Sequence, residues 1–140
     1  MKKLTLVMMA VILFPPLFIY GWFALTSGEH QYAETDILSF WLYTPTKLKD
    51  TPKISDIALY DYEYDPDNEQ TSVIIHWTNI RDIAEQKRLL YNFVQQLADY
   101  KKDNCGWKYN NKDDYSDNYK RYCIFQKGNT LELQFFETVH

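Results

Sequence analysis

The side chains able to do chemistry in this chain are few and scattered. His30, His76 and His140 stand far apart. None falls in a His-x-His or His-Glu-x-x-His spacing, the arrangements that aim two imidazoles at one metal ion. Asp65, Asp67 and Glu69 alternate as a calcium loop would. The run lacks the turn glycine, however, and its twelfth position is His76 rather than glutamate. A solvated turn is the expected structure there. Paired carboxylates occur at Asp61/Glu63 and Asp113/Asp114, without the signs of a cleft that glycoside chemistry needs. The glycines, at 21, 28, 106 and 128, allow neither a Gly-x-Ser-x-Gly elbow nor a glycine-rich phosphate loop. The expectation is a protein that is not an enzyme and carries no metal or cofactor.

Cys105 and Cys123 are the two cysteines. They form no Cys-x-x-Cys pair, and neither has a histidine beside it. In an oxidising compartment the plain reading is a structural disulfide between them. Closing a loop of that length is worth about 3 kcal/mol in the chain-entropy account.

Tyrosines and acids are a more suggestive mixture. Tyr60, Tyr62 and Tyr64 alternate with Asp61, Glu63 and Asp65, and Trp107, Tyr109, Asp113 and Asp114 repeat the theme. Tyrosine has an apolar body and a polar tip and is enriched at interfaces. These ten residues are the candidate partner-binding set, suited to a protein with a basic surface. The alternative is a tyrosine-rich core with a solvated acidic rim.

The elements that must position these residues follow from pattern. The chain has 140 residues, 46% of them hydrophobic, and a net charge of -4. From Leu4 to Leu25 no residue is charged, and Lys2 and Lys3 precede the run. As a helix it would reach about 33 Å, enough to cross a hydrocarbon core of about 30 Å. Pro15 and Pro16 should kink it. Without Lys2 and Lys3, the 15 basic residues fall to 13 against 19 acidic, a net of -6. That sign disfavours nucleic acid as a partner.

Beyond the anchor, residues 1–26, a linker is expected over 27–53. It would hold a short helix from Asp36 to Tyr43, capped by Thr35 or Asp36. A domain over 54–140 follows. Ile54 to Tyr64 and Thr71 to Trp77 read as a hairpin, and Ile80 to about Lys102 as the long helix, capped by Asn79 or Asp82. Tyr119 to Gln126 and Thr130 to Val139 read as a second hairpin. The fold class is α+β. An N-terminal transmembrane helix precedes one long helix packed on an antiparallel sheet of four to five strands, in β-β-α-β-β order, with any extra strand near Trp107.

An anchor followed by a small acidic, disulfide-bearing domain resembles membrane-tethered immunity proteins, which neutralise toxins acting in the bacterial periplasm. The resemblance implies an interaction module at the inner membrane, held there by residues 4–25. Its N-terminus would be cytoplasmic and its domain periplasmic. A soluble periplasmic form after signal cleavage is the alternative placement. A structural or assembly subunit of a secretion or division machine is the alternative function, and a small envelope hydrolase is third.

Overall fold

The structure, a computed structural model, describes residues 1–97 and 119–138. Helix α1 spans Lys2–Thr26 and continues through Pro15 and Pro16. Its large apolar side chains are exposed on every side, as for a segment whose solvent is lipid. It is long and apolar enough to span a membrane or to act as a signal sequence. Gly28 turns the chain out of α1 at φ +90, a conformation that side chains with a Cβ rarely adopt.

Strand β1 (Gly28–Ala33) follows directly, then helix α2 (Ile37–Tyr43) and a 3-10 turn at Thr46–Leu48. Strands β2 (Ala58–Asp65) and β3 (Gln70–Trp77) form the first hairpin. Helix α3 (Ile83–Gln96) leads toward the second hairpin, β4 (Tyr119–Lys127) and β5 (Thr130–Thr138). All pairings are antiparallel, and the sheet order is β1-β2-β3-β5-β4.

The fold is thus α+β with a five-stranded antiparallel sheet. It departs from the expected β-β-α-β-β order by a strand at the front. Within residues 27–53, β1 pairs with β2 from Gly28↔Tyr64 to Ala33↔Leu59, and Leu48 is fully buried in the core. The extra strand expected near Trp107 would lie outside the described residues.

One face of the sheet is the core. Val73, Ile75 and Trp77 from β3 meet Leu131, Leu133 and Phe135 from β5, with Leu90 and Val94 of α3 packed above them. Asp82 caps α3 by accepting from the Glu85 backbone N–H at 3.2 Å. Asn79, the other candidate cap, instead has φ 55 in the preceding turn. Asp36 caps α2 in the same manner, accepting from Ser39 N–H at 3.3 Å.

Candidate functional site

Strand alternation sends neighbouring residues of β2 to opposite faces, and this divides the mixed tyrosine–acid surface in two. Tyr60 is only 3% exposed and belongs to the core. It stacks on Tyr32 with ring centroids 5.2 Å apart and takes the edge of Phe40 at 5.5 Å. Tyr62 and Tyr64 are half-buried on that same side. Tyr32 thus packs on both Tyr60 and Tyr43, and Tyr43 of α2 packs on Tyr62. Burial pushes the Tyr32 hydroxyl up to about 12, its hydrogen bond to Thr44 opposing the rise only in part. Burial moves Tyr60 further in the same direction, with Glu34 adding to it.

Asp61 and Glu63 face the other way. Asp65 lies on their side but is engaged in the turn, accepting from Asp67 N–H at 3.0 Å and from Asn68 Nδ2 at 2.6 Å. The Asn68 hydrogen bond holds its carboxyl below the usual range. The expected solvated turn at Asp65–Glu69 is therefore built by Asp65 itself. Cys105, Trp107, Tyr109, Asp113 and Asp114 lie outside the described residues. Cys123 is buried in β4, and among the described residues no disulfide is seen.

The outer face of the sheet carries a chain of polar side chains that crosses four strands. Gln31 of β1 donates to Asp61 Oδ1 at 2.6 Å. Asp61 Oδ2 meets His76 Nε2 at 2.9 Å, and Glu132 Oε2 meets His76 Nδ1 at 3.2 Å. Gln134 Nε2 then donates to Glu132 Oε1. Register explains the convergence: Leu59, His76, Glu132 and Phe125 align in one cross-strand row, and Gln31, Asp61, Ile74, Gln134 and Cys123 in the next. The two carboxylates approach opposite ring nitrogens, so they do not converge on a common point where a metal would bind. Carboxylates from two strands thus occupy both ring nitrogens of His76.

Beside this chain lies a shallow depression of about 510 Å³, whose lining includes Glu29, Gln31, Asp61, Glu63, Ser72 and Ile74. Glu29 pairs with Glu63 across β1 and β2, so carboxylates gather at this edge. Arg121 and Lys127 occupy outer-face positions at the β4 edge. The face is polarised, acidic at β1–β2 and basic at β4. α2 and α3 both pack on the inner face, so among the described residues no helix covers the outer one.

Gln31, Glu29, His76, Glu132 and Gln134 were not in the sequence-derived set. Alternation places His76 and Glu132 outward, but only the pairing of β3 with β5 brings them together. Comparison with protein-family models, curated proteins and solved structures finds no match for the chain.

Proposed function

We propose that this chain is a membrane-anchored binding module, not an enzyme, whose protein partner presents a basic patch to the outer face of the sheet. In its most concrete form it is an immunity or inhibitor protein that neutralises a toxin acting in the bacterial envelope, with its domain on the periplasmic side. The observation that carries this reading is the acidic depression formed by Glu29, Asp61 and Glu63. A concave site lined by carboxylates attracts lysine and arginine and steers their approach. The carboxylate contacts at both nitrogens of His76 speak against proton-transfer chemistry at the same place.

The test is capture of a basic protein by the full chain in detergent, compared with the Glu29→Lys/Glu63→Lys double variant. Capture should be lost in the variant while its circular dichroism is unchanged, and expression of the parent chain should protect cells from the captured protein. Equal capture by both would overturn the site. Replacing α1 with an unrelated span should preserve protection, whereas loss on that swap would favour a subunit of an envelope assembly.

A further inference from the structure

Helix α2 has two faces with different surroundings. Phe40 and Tyr43 turn inward, Phe40 against Tyr60 and Tyr43 stacked on His30 at 4.2 Å. Ile37, Leu38 and Trp41 turn outward and are 80%, 75% and 67% exposed. Residues at i, i+1 and i+4 share one side of a helix. A cluster of large apolar side chains on so short a helix marks a surface meant to be covered.

The end of α1 shows what lies within reach. The Tyr43 hydroxyl donates to the Leu25 carbonyl at 2.8 Å, and the Tyr62 hydroxyl to the Thr26 carbonyl at 3.4 Å. In a spanning α1 these carbonyls close the apolar run. That run is about 33 Å long against a core of about 30 Å, so Leu25 lies at the edge of the hydrocarbon. The headgroup layer beyond it is about 5–7 Å thick. The Tyr43 hydroxyl therefore reaches that layer whatever the tilt of the domain, and Trp41 stands two residues before Tyr43 on the same short helix. Lys49 completes the pattern: its Nζ donates to the Trp41 carbonyl at 2.9 Å and lies 5.4 Å from the centre of the indole. An indole with apolar neighbours and an ammonium head beside it suits the boundary between lipid and water.

We propose that α2 is a second membrane contact, seated in the phospholipid headgroup layer beside the exit of α1 through Ile37, Leu38 and Trp41. This rests on α1 being retained as a span. The full chain in phosphatidylcholine vesicles carrying a shallow spin-labelled lipid tests both. The emission lost in Trp41→Phe reports Trp41, and that lost in Trp22→Phe reports α1. The spin label should quench most of the Trp41 emission, and aqueous iodide should quench little of it. If the lipid label quenches Trp22 but not Trp41, α1 spans and the docking of α2 is wrong. If neither label nor iodide reaches Trp41, a protein surface covers it instead, and the proposal fails. If the label quenches neither tryptophan, the anchor itself is wrong and the docking falls with it.

Discussion

His76 is held by carboxylates from two strands, and the arrangement sets what its removal should do. A neutral imidazole donates from one nitrogen, whereas an imidazolium donates from both. About a third of each of the three side chains is exposed, so water screens the contacts. Each is then worth about 0.2–1 kcal/mol. His76→Ala should lower stability by about 1 kcal/mol, seen as a shifted urea midpoint at unchanged slope. A double-mutant cycle with Asp61→Asn should return a coupling of about 0.2–1 kcal/mol. The buried hydroxyls make a second prediction. Tyr32 is pushed up to about 12 and Tyr60 is raised as well, whereas in the unfolded chain both ionise at about 10. The folded state favours the neutral form, so their contribution is complete below about pH 10. It is lost as the pH rises from there through about 12. In an alkaline titration followed by tyrosinate absorbance and circular dichroism, exposed tyrosines should ionise first, with the fold intact. Ionisation of the buried pair should coincide with loss of the fold, and Tyr60→Phe should move that loss to higher pH.

At the scale of elements, the legible parts were those with a strong period. β3 reads Val73, Ile75, Trp77 on one side, β5 reads Leu131, Leu133, Phe135, and α3 shows an apolar stripe that contains Leu90 and Val94. The faces of β2 were legible as well, but not which one meets water, because tyrosine suits either environment. β1 was missed for a related reason. Its inward residues are His30 and Tyr32, so Gly-Glu-His-Gln-Tyr-Ala shows no apolar alternation, and with β1 the Gln31–Asp61 end of the site was lost. The strand is nonetheless structural: Tyr32 is 5% exposed and its hydroxyl meets Thr44 at 2.8 Å. A soluble form that starts at Glu34 should lose about 3–5 kcal/mol relative to one that starts at Gly28, or fail to fold, since removing a buried aromatic alone costs that much. Thermal melts of the two forms check this. The cap of α3 makes a smaller and cleaner prediction. Asp82→Ala should cost about 1 kcal/mol, and Asn79→Ala should leave the helix start intact because the Asn79 side chain does not cap it.

The whole molecule is organised around the joint between α1 and the sheet. A helix end leaves its last carbonyls without intrahelical partners. Here the Tyr43 hydroxyl takes Leu25, the Tyr62 hydroxyl takes Thr26, and His30 Nε2 lies 3.3 Å from the Ser27 carbonyl. The three rings also pack together, His30 on Tyr43 at 4.2 Å and Tyr43 against Tyr62 at 5.3 Å. A joint of this kind transmits orientation, which a flexible linker would not. If this joint does so, the acidic outer face should be presented at one angle to the axis of α1. Tyr43→Phe retains the stacking and removes one hydrogen bond to α1, worth about 1 kcal/mol. The sheet should keep its melting behaviour in water-soluble detergent, because phenylalanine retains the ring packed against the core. The relative motion of the two parts should increase. A spin label on α1 paired with one on β3 should give a single narrow distance distribution in the parent chain and a broad one in Tyr43→Phe/Tyr62→Phe. Equal widths would mean that the aromatic collar does not hold the domain, and the fixed presentation of its acidic face would have to come from elsewhere.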